Sequence, residues 1–198
     1  MPKLTFWFEF ASTYSYLSAM RIEDVAAAEG VEVVWQPFLL GPIFAGQGWN
    51  NSPFNIYPAK GAYMVRDIDR IASGRGLPFA MPKTFPANGL KAARLALVGQ
   101  SEGWVAPFAR AIYTAQFRDQ ANIADDAVLI AALEKAGQDA ARAMKTAGEQ
   151  DVKDRLKENT NLAKSLGIFG APSFTAADDE LFWGDDRLEQ AVAWAKRA

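Results

Sequence analysis

The sequence predicts an α/β fold interrupted by a large all-helical insertion. Three observations carry that reading. Leu4, Phe6, Phe8 and Phe10 alternate with Thr5, Trp7 and Glu9, the period of two expected of a strand. From about Ala59 to Leu166 the apolar spacing is helical. After Gly167, short strand-like runs return. The chain of 198 residues, 50% of them hydrophobic, has enough apolar surface for one sizeable core.

The first strand carries Trp7 among its alternate residues, so apolar cover is expected on both faces. Tyr16 to Glu29 follows as a helix, with Leu17, Met20, Ile22 and Val25 at helical intervals and Gly30 as its stop. Val31 to Trp35 reads as a second strand. Strand, helix and strand make a βαβ unit, whose crossover is expected to be right-handed. Pro37 to Pro58 is rich in Pro and Gly, shows no clear period, and reads as a long functional loop.

Tyr63 to Ile71 is then helical, and Ala87 to Gln100, apolar nearly all round, reads as a buried helix. Helical segments follow at Trp104 to Phe117, Ala124 to Lys135, Asp139 to Thr146 and Glu149 to Leu166. Ser173-Phe174-Thr175 and Leu181-Phe182-Trp183 flank Ala177 to Glu180 as a hairpin. Asp186 to Lys196 closes the chain as a helix, with Asp186 and Glu189 spaced as a capping box. Removing 59–166 leaves the order βαβ–ββα of a thioredoxin-like domain. The expected division is therefore 1–58 with 167–198 as that domain, and 59–166 as the helical insertion.

Composition narrows the chemistry. The net charge is −2 and Lys and Arg are dispersed, so neither a nucleic-acid stripe nor a polybasic membrane anchor is expected. No stretch reaches the ~18 apolar residues of a membrane span, and no secretory signal is evident near Lys3. A cytoplasmic location is the expectation. The chain contains no Cys and no His. It can make no disulfide, no thiolate nucleophile and no soft metal site of its own. It also lacks the usual base for neutral pH, so thiol chemistry must arrive on a cofactor.

Phe8 to Tyr16 lies where strand gives way to helix, the position at which open α/β sheets hold ligands. Ser12 or Thr13 there also reads as an ordinary helix N-cap. Lys60, two residues after Pro58, falls near the positive end of a helix macrodipole, an unfavourable place that a bound carboxylate would offset.

Four patches carry a family resemblance: Phe8-Glu9-Phe10-Ala11-Ser12-Thr13-Tyr14-Ser15-Tyr16; Gln36-Pro37-Phe38-Leu39-Leu40-Gly41 with Pro58-Ala59-Lys60; Gly167-Ile168-Phe169-Gly170-Ala171-Pro172-Ser173-Phe174; and Phe182-Trp183-Gly184-Asp185-Asp186-Arg187-Leu188. In this order the sequence resembles the 2-hydroxychromene-2-carboxylate isomerases. It also resembles the kappa-class glutathione transferases, and more distantly the DsbA-type oxidoreductases, which carry a helical insertion in a thioredoxin fold. Ser12 and Ser15 stand where a redox relative has the cysteines of its C-x-x-C motif, so dithiol chemistry is excluded. Thr13 replaces the Pro common in the family.

The resemblance implies a glutathione-dependent isomerase that interconverts 2-hydroxychromene-2-carboxylate and trans-o-hydroxybenzylidenepyruvate, in aromatic hydrocarbon degradation. It implies glutathione as cofactor, a small aromatic carboxylate as substrate, and a homodimer. Ser12 would be the catalytic residue, steadying the thiolate. Ser12, Asn51, Lys60, Ala171, Pro172, Asp185 and Asp186 would hold glutathione, with Ala171-Pro172 matching the cis-proline turn. Asn50 and Asn55 compete with Asn51 for the loop contact. Phe8, Tyr14, Phe38 and Trp49 would line the substrate pocket, although core packing explains aromatic residues equally well. A kappa-like transferase, or a non-catalytic thioredoxin-like binding domain, remain the other readings.

Overall fold

A computed structural model describes residues 1–198. Its centre is a four-stranded sheet in the order β2-β1-β3-β4, with β1 at Lys3–Phe8, β2 at Glu32–Pro37, β3 at Ser173–Thr175 and β4 at Leu181–Trp183. β1 runs parallel to β2 and antiparallel to β3, and β4 closes the hairpin. The register sets Trp35, Phe6, Phe174 and Phe182 side by side on one face. Phe6 meets Trp35 edge-on at 5.0 Å and stacks on Phe174 at 5.6 Å. Cross-strand aromatic pairs of this kind are what hold a sheet in register.

The expected single helix from Tyr16 to Glu29 is in fact two: α1 at Thr13–Ala19 and α2 at Ile22–Ala28. The break falls at Arg21, whose backbone leaves the helical region at φ −135°. Its guanidinium reaches Asp185 and Glu189 instead of solvent. The expected loop from Pro37 to Pro58 also contains helix, α3 at Leu40–Gly46 and α4 at Pro53–Ile56. Both are short and carry Gly or Pro, which hides their period. Tertiary contact explains α3, because Ile43 packs with Trp7, Phe38, Ala163 and Ile168. α4 begins on Ser52, whose hydroxyl accepts the Phe54 N–H at 3.3 Å, with Pro53 at the first helical position.

The helical block consists of α5 at Pro58–Gly74, α6 at Leu90–Glu102, α7 at Val105–Phe117, α8 at Asp126–Lys135, α9 at Ala140–Ala147 and α10 at Gln150–Ser165. These agree with the sequence reading to within a few residues, the usual uncertainty of helix ends. The chain ends with a 3-10 turn at Asp185–Arg187 and α11 at Leu188–Ala195. The capping box expected there does not form. Asp186 falls within the 3-10 turn, Arg187 takes the cap position of α11 with no side-chain cap bond, and Glu189 is drawn away to Arg21.

The two faces of the sheet are buried against different partners. The Phe6 and Phe8 face joins a core that runs through α2 and α11 into α6, α7 and α8 of the helical block. On the other face Trp7, 2% exposed, sits with Phe38 beneath α3 and α10. Its indole N–H donates to the Thr175 hydroxyl at 2.9 Å. No helix is long and apolar enough to cross a membrane.

α4 and α5 meet closely at Gly61, where a Cβ would stand 2.3 Å from the carbonyl oxygen of Phe54. The obstacle is backbone, so the helices would have to part. Gly61→Ala is expected to lower unfolding stability by about 1–3 kcal/mol, measured by denaturant titration.

Candidate active site

A cavity of about 1240 Å³ opens at the carboxyl end of β1. Its walls are the turn after β1, the α3–α4 segment, α5, the 85–90 connection, and the segments around Ala171 and Asp185. It thus lies between the sheet and the first part of the helical block, where the topology of an α/β unit favours a ligand.

Ser12 stands at the centre of the turn. Its backbone is extended, at φ −82° and ψ 115°, and its Oγ accepts the Ser15 N–H at 3.1 Å, so it does cap α1. The same hydroxyl donates to the Ala171 carbonyl at 2.8 Å. One side chain therefore joins the βαβ unit to the ββα unit. Thr13 is buried and donates its hydroxyl to the Met64 sulfur at 3.2 Å, which anchors the turn to α5 in place of a proline ring.

The Ala171–Pro172 peptide is cis. The Ala171 carbonyl is taken by Ser12, whereas its N–H makes no hydrogen bond within the chain. Lys60 lies in the first turn of α5 on the cavity wall. Its ammonium sits 5.8 Å from the Phe54 ring centre and bridges no carboxylate. Asn51 is also on the wall, but its Oδ1 already accepts from the Ser52 N–H at 2.7 Å and from Asn55 at 3.1 Å. Its amide NH₂ remains for a ligand. Asn50 lines the cavity as well, whereas Asn55 is turned to Asn51 and the Phe85 carbonyl.

The two aspartates part company. Asp186 is exposed at the cavity rim, with only a 3.6 Å approach from Arg187. Gly184 has φ 109°, a backbone conformation that residues with a side chain rarely adopt, so glycine is needed there. Asp185 is 3% exposed. Its Oδ1 accepts from the Ser18 hydroxyl at 2.9 Å and from Arg21 Nε at 3.2 Å, and its Oδ2 accepts from Arg75 at 2.7 Å. Asp185 lines the cavity as well, but both of its oxygens are engaged inside the protein, which leaves it less open to a ligand than Asp186. What Asp185 does is hold Arg21 and Arg75, and with them the approach of α5 and the C-terminal turn.

Of the aromatic residues assigned to the pocket, Tyr14 and Trp49 line it. Phe8 and Phe38 do not. Phe8 is fully buried in the main core against Phe6, Phe10 and Trp35, and Phe38 packs edge-on to Trp7. For Phe8 the pleat of β1 decides, since alternate side chains take opposite faces; Phe38, just past β2, is held in the smaller core beneath α3 and α10. Tyr14 donates to Asp67 at 2.9 Å, and burial with that neighbouring carboxylate pushes its hydroxyl well above the usual tyrosine range. Sequence reasoning missed Arg75 and Asp67 on α5, because nothing in the helical pattern distinguishes them from solvated charges. It also missed the carboxyl of Glu9 on the wall, although a charged residue at the end of an apolar strand was a signal.

The sheet order, the cis Ala171–Pro172 peptide and the helical block together define a thioredoxin-fold protein. Residues 3–193 match the DSBA-like thioredoxin domain, and the chain belongs to that family. It is 27% identical over 188 residues to a 2-hydroxychromene-2-carboxylate isomerase of Sphingobium xenophagum, covering 94% of each chain. It is 25% identical to human glutathione S-transferase kappa 1, covering 92% of this chain and 86% of that one. A solved structure of a 2-hydroxychromene-2-carboxylate isomerase superposes with a TM-score of 0.86 at 23% identity, over 98% of this chain and 95% of the other.

Removing the Asp185 carboxylate would leave two arginines facing each other without their shared anion. Asp185→Ala is expected to cost about 3 kcal/mol, the lower end for breaking a buried ion pair because both arginines are partly exposed. Urea titration measures it.

Proposed function

We propose that this chain is a glutathione-dependent isomerase acting on 2-hydroxychromene-2-carboxylate and trans-o-hydroxybenzylidenepyruvate. The observation that carries the reading is a set of polar groups converging on one cavity: the Ser12 hydroxyl, the unpaired Ala171 N–H, the unbridged ammonium of Lys60 and the exposed carboxylate of Asp186. Glutathione offers a thiol, peptide groups, a glycyl carboxylate and a γ-glutamyl amine, and the set complements these. When bound, glutathione would supply a thiolate that adds to the conjugated carbon of the ring-opened substrate and later leaves, so that a double bond becomes briefly single and able to rotate.

The chain's own residues would act as follows. Lys60 pairs with the glycyl carboxylate and Asp186 with the amine. The Ala171 N–H would donate to the cysteinyl carbonyl, and the Ser12 hydroxyl would face the sulfur. Ser12 can turn its proton from the Ala171 carbonyl to that sulfur while still accepting from the Ser15 N–H. A hydrogen bond to the charged form lowers a thiol pKa. Tyr14 and Trp49, with the amides of Asn50 and Asn51, provide an aromatic and polar wall for the substrate.

Similarity to a kappa-class transferase favours one further reading, in which the same thiolate is consumed by conjugation. An absorbance assay on 2-hydroxychromene-2-carboxylate, with and without glutathione, separates the two. Isomerisation that requires glutathione and leaves its concentration unchanged is the expected result. Net loss of glutathione points to the transferase. Absence of any calorimetric heat with glutathione would leave a non-catalytic binding domain.

Ser12→Ala is expected to lose the helix cap, about 1 kcal/mol, yet fold and bind glutathione with a raised thiol pKa. If the ultraviolet thiolate absorbance titrates identically in both proteins, the role given to Ser12 is wrong. Lys60→Gln is expected to weaken glutathione binding about five-fold by calorimetry, the effect of losing ~1 kcal/mol from an exposed ion pair.

A further inference from the structure

We infer that Glu9 is the proton-transferring residue of the cavity: its carboxyl gives a proton to the substrate's carbonyl oxygen and takes it back within one turnover. This rests on the thiolate reading above. A carbonyl conjugated to the attacked double bond gathers negative charge as a carbon–sulfur bond forms, and a proton placed there lowers the barrier. The step balances. The electron pair of the double bond moves toward the carbonyl oxygen, and protonated Glu9 supplies that oxygen with a proton. When the carbon–sulfur bond breaks, the pair returns, the Glu9 carboxylate recovers the proton, and nothing is oxidised or reduced.

The geometry singles Glu9 out. It shares one tight turn with Ser12, whose N–H donates to the Glu9 carbonyl at 3.0 Å. Its side chain lines the cavity, with Oε2 held by the Ala11 N–H at 2.9 Å. Oε1 has no hydrogen-bond partner in the chain. It lies beside Gly89, another residue of the cavity wall, where even a Cβ would approach to 3.4 Å. The Tyr113 hydroxyl donates to the Glu9 carbonyl at 3.0 Å and fixes the main chain from the α7 side.

Two of the other three acids of the cavity are committed. Asp185 binds Ser18, Arg21 and Arg75, and Asp67 binds Tyr14 and Arg70. Asp186 stands at the exposed rim. Tyr113 is the titratable group facing Glu9, and burial pushes its hydroxyl well above 10, which keeps it neutral. The cap of α6 brings uncharged Asn88, Gly89 and Leu90, and α1 brings Thr13 and Tyr14. No lysine or arginine bridges the Glu9 carboxyl, and burial raises it from 4.5 to about 7 despite the Ala11 hydrogen bond. A carboxyl in that range can both donate and accept at neutral pH, in a chain that has no histidine.

Glu9→Gln keeps the size and the acceptor for the Ala11 N–H, and it tests the assignment. In the ligand-free wild-type protein, a glutamate carboxyl should titrate near 7 by infrared difference or carbon-13 resonance, and Glu9→Gln should lack it. Protonation favours the folded state here. The group's stabilising contribution is complete below 4.5 and is lost as the pH rises through about 7, so the wild-type melting temperature should fall across that window relative to Glu9→Gln. The variant should bind glutathione with unchanged affinity, lose at least ~100-fold in kcat, and lose the pH-dependent limb near 7. A wild-type carboxyl titrating near 4.5, or a variant with wild-type kcat and pH profile, overturns the role of Glu9 alone. Wild-type protein that binds no glutathione overturns this inference and the glutathione reading together.

Discussion

The burial of β1 on both faces is the constraint from which the rest of the structure follows. A strand between a parallel and an antiparallel neighbour has all its backbone groups paired, and Phe6, Phe8 and Trp7 then need apolar cover above and below. The Phe face is covered by α2 and α11 and by aromatic residues from α7. The Trp7 face is covered by α3 and α10. α7 and α10 belong to the helical block, so the block completes the core of the sheet and does not hang from it. The cavity is the gap left at the strand's carboxyl end, where the turn to α1 has to leave that cover.

Within the gap, function follows from what the chain lacks. Without cysteine or histidine, the turn can offer a hydroxyl, backbone N–H groups and a carboxyl, but no thiolate of its own. The proposed function has that thiol borrowed from glutathione. The Ser12 to Ala171 hydrogen bond at 2.8 Å brings two distant parts of the chain to one point. The Asp185 cluster locks the neighbouring parts, because its donors come from two distant stretches: Ser18 and Arg21 at the end of α1, and Arg75 at the end of α5. Rigidity at that corner preserves the spacing between Lys60, Ala171 and Asp186 around the cavity.

Much of this is legible in the sequence alone. The strand alternation, the helical block and the closing hairpin were read at nearly their observed limits. Ser12, Lys60, Asn51 and the Ala171–Pro172 turn were placed as site residues, and all of them lie on one cavity wall. The failures share a cause. The break at Arg21, the helix within Pro37 to Pro58 and the burial of Asp185 each depend on a partner far away in sequence. Phe8 and Phe38 were assigned to the pocket because aromatic residues suit both pocket and core, and only the direction of the side chain separates the two.

By itself, the sequence determined the period of each element, the absence of any thiol or imidazole, and the order βαβ, helices, ββα. These are local or compositional properties, fixed by side-chain chemistry and by the repeat of helix and strand. Tertiary structure alone decided which carboxylate is a strut and which is free. Asp185 and Asp186 are adjacent and chemically identical, yet one is enclosed by two arginines and a serine while the other faces open cavity. Glu9 was likewise one charged residue in an apolar strand until packing withheld a counter-ion from it. Charge in a protein takes its role from what surrounds it in space, and a linear chain does not specify that neighbourhood residue by residue.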